Sequence, residues 1–309
     1  MKLYKYISPN IIDKIFTSDK HASFKCSYPK DFNDPYELFL TIDFNEEPKL
    51  LAFYSDVIGQ IPQIPTTCFS KSPSIVPMWA HYAQNLQGFV IEIDEEKLTS
   101  YFPESVFGDV DYLDKPNDSS QGNLYRAYGT AKPRHSYFLQ RIVFSAAYYT
   151  KSMCWSYEIE RRMIVHDTET RVDDGIILVD VPLDCISAIF CGPRASLETK
   201  KILSEKAKNI NCDYFEMKIG RSSATPFFMK NTGKPYIFEN EKLCEAQKYC
   251  AQCKEPLLNK EVKVCSWCQI TKSHKISAAE RNPYRMLDNH GLLESYINSM
   301  EETRRKHRK

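Results

Sequence analysis

The stretch Trp155-Ser156-Tyr157-Glu158-Ile159-Glu160-Arg161-Arg162 decides how this chain is read. Apolar and polar residues alternate through it. A strand then puts Trp155, Tyr157 and Ile159 on one face and Ser156, Glu158 and Glu160 on the other. The aromatic face packs inward, and the two carboxylates project together, roughly 7 Å apart along the strand. Like charges so placed repel. One reason to keep them is chemistry at a sugar C1, where a carboxylate stabilises an oxocarbenium-like transition state. The plainer reading is a pair of surface glutamates bridged to Arg161 and Arg162.

Working outward, this strand runs over 158–165 and is expected to pair with a strand at 175–181 as a hairpin. Further strands are expected at 3–7, 23–27, 38–44, 66–70, 89–93, 186–191 and 214–219. Helices are expected at 77–84, 135–151 and 196–209, and one opens at Ser8-Pro9-Asn10 with Ser8 as N-cap and Pro9 in the first turn. These short alternating elements predict one α+β domain over residues 1–220. Residues 221–243, rich in Ser, Thr, Pro, Gly and Asn, read as a linker. Residues 244–275 read as a zinc-binding module and 276–309 as a helical basic tail broken at Gly291.

Composition narrows the function classes. The chain has 309 residues, with 41 Lys and Arg against 40 Asp and Glu, a net charge of +1. That excludes a protein whose whole surface advertises one charged partner. Aromatic residues make up 13%, with 19 Tyr and 17 Phe, enough for a sizeable core. There are only 10 Gly, and neither G-x-x-x-x-G-K-[ST] nor G-x-G-x-x-G occurs, so the two commonest phosphate cradles are absent. No secretory signal and no run of about 18 apolar residues is present, so a cytoplasmic protein without a membrane span is expected.

Eleven cysteines in a reducing compartment point away from disulfides. Four are organised as Cys250-Ala-Gln-Cys253, eleven residues, then Cys265-Ser-Trp-Cys268. Four thiolates so spaced are the ligand set of a structural, tetrahedral zinc ribbon, with Cys244 near enough in sequence to be a spare. The alternative is a redox dithiol pair. The single cysteines (Cys26, Cys68, Cys154, Cys185, Cys191, Cys212) read as small apolar residues.

Other polar groups sit where a core does not want them. Lys5 lies between two tyrosines on an early strand; a snorkelling edge lysine explains it equally. Asn33-Asp34-Pro35 is either an Asx turn or a loop at a cleft mouth, with Asn33 and Glu37 touching ligand. His81 reads as a structural histidine or a base, and Trp79 and Tyr82 as core or as a ligand platform. The terminal Arg304-Arg305-Lys306-His307-Arg308-Lys309 reads as a solvated helix end or as a contact to nucleic acid or an acidic partner.

Taken together, L-Y-K-Y at 3–6, F-N-D-P-Y-E at 32–37, C-F-S at 68–70, M-W-A-H-Y at 78–82, G-F-V-I-E-I-D at 88–94, W-S-Y-E-I-E-R-R at 155–162 and I-F-C-G at 189–192 resemble the bacterial domain-of-unknown-function 2971 family. The resemblance covers most of residues 1–220 and supplies no function. A second resemblance, to one large class of ADP-ribosyltransferases, rests on three ordered motifs. These are a basic residue on the first strand (Lys5), a Ser-Thr-Ser-like strand (Cys68-Phe69-Ser70) and Glu-x-Glu (Glu158-Ile159-Glu160). Lys replaces the usual Arg, and Cys-Phe precedes the Ser. This resemblance implies a mixed split β-sandwich with flanking helices that clamps NAD. Lys5 would hold the ribose or phosphate, and Ser70 would position the nicotinamide-side ribose. Glu160 would bond the 2′-hydroxyl and stabilise the cation, and Glu158 would orient the acceptor. Trp79, His81 or Tyr82 would lie beside the nicotinamide. By analogy at family level such a protein is a bacterial toxin or phage-defence effector.

The expectations are therefore an NAD-consuming ADP-ribosyltransferase or NAD glycohydrolase acting on a protein or nucleic-acid acceptor, or a non-enzymatic module binding nucleic acid or protein through zinc ribbon and tail. A third, a metal-dependent hydrolase using Asp34, Glu37, Glu158 and Glu160, has no clustered histidines behind it.

Overall fold

The computed structural model of the protein describes residues 1–34, 37–59, 61–116, 118–257 and 261–307. They divide into two compact bodies, Met1–Ala246 and Gln247–Lys309. Each is described by itself.

The first body is a mixed α+β domain. Its strands are β1 (Lys2–Ile7), β2 (His21–Cys26), β3 (Thr66–Ser70), β4 (Phe89–Asp94), β5 (Val106–Asp109), β6 (Asp111–Leu113), β7 (Thr150–Ser152), β8 (Glu160–Ile164), β9 (Arg171–Asp173), β10 (Ile176–Pro182), β11 (Ile186–Cys191), β12 (Asp213–Lys218), β13 (Phe227–Lys230), β14 (Pro235–Glu239) and β15 (Lys242–Glu245). Ten of them form one sheet in the order β15-β14-β13-β12-β11-β4-β1-β3-β8-β5, beside a sheet β2-β10-β9 and a pair β6-β7. In the large sheet only β11 and β12 run parallel. The helix Leu197–Asn209 makes the crossover that a parallel pair needs, capped by Ser196 Oγ accepting from the Thr199 N–H at 3.0 Å.

β4 and β1 are central and buried on both faces. Leu3, Ile7, Phe89, Ile91 and Ile93 share one core with Phe24 of β2 and Val179 and Val181 of β10, so the small sheet covers this face. Tyr4, Tyr6 and Val90 point to the other face and pack with Trp79, Phe190, Phe215 and Phe228. The helices Pro48–Ile58, Asp118–Thr130 and Pro133–Tyr149 build a third cluster around Leu50, Leu124 and Leu139. Among the described residues no helix is long and apolar enough to cross a membrane.

Several expectations change. Residues 221–243 do not form a linker. β13, β14 and β15 extend the large sheet antiparallel from β12, because Phe227, Phe228, Tyr236 and Phe238 between the turn residues supply apolar strand faces. The first body accordingly ends at Ala246 rather than at 220. Residues 38–44 form no strand; Glu37–Leu40 is a 3-10 turn. β8 and β10 do not pair as a hairpin but lie in different sheets, β8 against β3 and β5, β10 against β2 and β9. Ser8 makes no cap bond; its hydroxyl donates to Gln84 Oε1 instead.

Strand alternation also fails at 155–159. Met153–Glu158 is a 3-10 turn closed by Ile159 in the left-handed region (φ 45°), and β8 starts only at Glu160. Ile159 is 42% exposed rather than packed inward.

In the second body the tail is helical as expected, in three pieces: Lys272–Glu280, Pro283–Asn289 and Leu293–Lys306. Gly291, at φ 69°, stands between the last two.

Candidate functional site

β1 and β3 are joined through a single register pair, Tyr4 with Ser70. Beyond it the strands part, so the ladder of the large sheet is interrupted at its middle. An unpaired buried carbonyl is costly. The Lys5 side chain answers for one of them: Nζ donates to the Cys68 carbonyl at 2.8 Å and to Thr67 Oγ1 at 2.9 Å, with the Phe69 ring 5.4 Å below. The opening forms a cavity of about 300 Å³. Tyr6, Phe32, Phe69 and Tyr82 give it aromatic walls, and Lys5, Lys25, Lys151, Glu158 and Glu160 give it charge.

The register Ser70 with Glu160 brings β8 beside β3. Glu158 and Glu160 therefore meet although no single strand carries both. Lys151 of β7 bridges them, its Nζ 2.6 Å from Glu158 Oε2 and 3.3 Å from Glu160 Oε2. The Trp155 ring lies 4.9 Å from the same ammonium. Arg162, 1% exposed, donates through Nε to Glu160 Oε1 at 3.0 Å and through Nη1 to the Tyr148 carbonyl at 2.7 Å, and stacks 4.6 Å from the Phe32 ring. The Tyr82 hydroxyl donates to Glu158 Oε1 at 2.6 Å. The backbone N–H of Glu160 donates to the Tyr112 hydroxyl at 2.8 Å.

These neighbours set the protonation states. Burial acts to raise the Glu160 pKa. The charges of Arg162 and Lys151, with hydrogen bonds from Arg162 and Cys68, outweigh it and hold the group at about 2. Glu160 is thus an ionised carboxylate at neutral pH. Burial, reinforced by Glu160, pushes the Cys68 thiol far up, which removes it as a nucleophile. Burial lowers the Lys5 pKa.

Of the residues expected from the sequence, Lys5, Asn33, Ser70, Tyr82, Glu158 and Glu160 line this one cavity. Two others do not. Trp79 is fully buried in the core, with its indole N–H on the Pro73 carbonyl and its ring against Tyr6. His81 is exposed, near the Tyr157 ring, and lines no part of the cavity. One role also needs correction. The Ser70 hydroxyl is committed to the Glu158 carbonyl at 2.7 Å, where it pins the 3-10 turn. Lys5 alternates onto the sheet face opposite Ser70 and Glu160 and enters the cavity through the gap between β1 and β3. Pro35, Tyr36 and the side chain of Glu37 lie outside the described residues. Of the four carboxylates expected to hold a divalent ion, Glu158 and Glu160 hold Lys151 and Arg162 instead.

Lys151, Tyr112 and Phe32 are not among the residues expected at the site, whereas the bridge from Arg162 to Glu160 is the one the plainer reading expects; Arg161 pairs with Glu95 and Asp109 instead. Arg162 had a signal, since a period of two puts it on the Glu160 face of β8. Lys151 had none, since it comes from another strand.

In the second body the ligand atoms of Cys250, Cys253, Cys265 and Cys268 lie within 4.8 Å of one another. A tetrahedron with bonds of about 2.3 Å has edges of about 3.8 Å. The Cys253–Cys265 sulfur distance is 3.7 Å, so the four cysteines fit a metal ion held by thiolates. The Cys265 N–H points at Cys250 Sγ, 3.4 Å away. Lys254 takes φ 64°, the conformation a trailing glycine takes more easily. Cys244 is not part of the group; it sits in β15 opposite Ile237.

Residues 78–163 match the family of proteins of unknown function DUF2971. No curated protein and no solved structure matches the chain. The DUF2971 segment contains Tyr82, Lys151, Glu158, Glu160 and Arg162, whereas Lys5, Asn33 and Ser70 precede it.

Proposed function

We propose that the first body cleaves the nicotinamide–ribose bond of NAD, as a glycohydrolase or an ADP-ribosyltransferase, and that the four cysteines hold a structural zinc. The observation that carries the first reading is the gap between β1 and β3, which opens an aromatic-walled cavity onto an ionised Glu160 with Glu158 beside it. A cavity of about 300 Å³ has room for the nicotinamide ribose, with the rest of the dinucleotide outside. The split between strands, with the small sheet packed on one face, suits the sandwich architecture that the transferase resemblance implies.

In this reading the N-glycosidic bond breaks and its electron pair leaves with nicotinamide. The C1′ cation is stabilised by Glu160 and captured by water or an acceptor nucleophile, whose proton passes to Glu158. Tyr82 and Lys151 hold Glu158 in place. One of the three Lys5 N–H groups remains for ligand oxygen.

The test is nicotinamide release from NAD by wild type, by Glu160→Gln, and by Glu160→Gln/Arg162→Met, with cell lysate as a source of acceptor. The single variant strips Arg162 of its counter-ion and risks unfolding, whereas the double variant removes both charges. Release by wild type and none by a folded double variant supports the reading. No release by wild type, with or without lysate, ends it.

A further inference from the structure

Charge is unevenly divided between the two bodies. Residues 247–309 carry thirteen Lys and Arg against seven Asp and Glu, a net of +6, while the whole chain is at +1, which leaves −5 on residues 1–246. The excess is concentrated over 263–285, where Lys263, Lys272, Lys275, Arg281 and Arg285 face only Glu280. All five cations are exposed. Among the described residues none of the five makes an ion pair, whereas Arg305 lies 3.8 Å from Glu301. Cations left without carboxylates repel one another and favour a polyanion. In the same segment the Tyr284 side chain is 53% exposed, with its ring 6.3 Å and edge-on from that of the exposed Tyr296.

We infer that residues 263–285 bind single-stranded nucleic acid. The five cations contact phosphates, and the exposed ring of Tyr284 offers a surface on which an unpaired base stacks. An acidic polypeptide would satisfy the charges but gives the ring nothing to stack on. A duplex satisfies the charges while keeping its bases stacked on each other. This inference is independent of NAD cleavage.

The test uses the full chain loaded with zinc and a fluorescein-labelled 20-nucleotide oligo(dT), followed by anisotropy at several salt concentrations. Five phosphate contacts on a single strand predict a slope of log K against log salt of about −3.5. Lys272→Glu/Lys275→Glu should weaken binding at least about tenfold and flatten the slope by about 1.4. Tyr284→Ala, which is remote in sequence from the cysteines, should weaken binding roughly fivefold or more without changing the slope. Circular dichroism and zinc content establish that each variant is folded. The inference is overturned by no binding at 50 mM salt, by unchanged binding in the charge-reversal variant, or by poly-glutamate competing as well as the oligonucleotide. A matched duplex bound as tightly as the single strand also overturns it.

Discussion

Lys151 balances the charge of the cavity, held between Glu158 and Glu160 at 6% side-chain exposure. Lys151→Met leaves two carboxylates buried together, and its expected cost is about 3–5 kcal/mol, read from urea unfolding at pH 7. Glu160 gives a second expectation. Its folded pKa of about 2 lies below the unfolded value of 4.5. Its contribution to stability is therefore full above about pH 4.5 and is lost as pH falls from there toward 2, on the order of 3 kcal/mol in all. Unfolding free energies at pH 7 and pH 3 should differ through this group by about 2 kcal/mol of that total in wild type, and by less in Glu160→Gln/Arg162→Met. The acid pair was legible in the sequence because two glutamates two apart demand a reason. Its partners were less so: Lys151 lies across two sheets of strand pairing, and only folding brings its ammonium within reach.

At the scale of elements, the buried strands were the easiest to read. β1, β3, β4 and β11 fall close to where their apolar runs predict, since short Val, Ile and Phe runs leave little choice. The β13–β15 meander was hidden because its turn residues dominate its composition. The left-handed Ile159 was invisible, since a β-branched residue rarely takes φ 45°. Glycines separate two kinds of constraint. A Cβ at Gly192 would come within 2.2 Å of the Leu86 carbonyl, and one at Gly88 within 2.1 Å of the Ile7 carbonyl. Gly122, in the helix Asp118–Thr130, meets nothing within 4 Å. Thermal unfolding should therefore show Gly122→Ala gaining about 1 kcal/mol and Gly192→Ala losing about 3 kcal/mol.

For the whole molecule, two bodies imply two separable stabilities. The first holds its own cores, whereas the segment around the four cysteines has little apolar burial besides Cys250 and Cys265. With the proposed zinc bound, chelation should open the backbone amides of Cys250, Cys253, Cys265 and Cys268 to hydrogen exchange while those of β1 and β4 stay protected. The large sheet has a further consequence, for synthesis. β1 pairs with β4, 82 residues beyond its end, and β4 pairs with β11, another 92 residues on. At about 5–20 residues per second, a ribosome delivers β11 roughly ten to forty seconds after β1. Until β4 emerges, roughly four to eighteen seconds after β1 at that rate, the first strand lacks its main partner and is open to pairing with the wrong one.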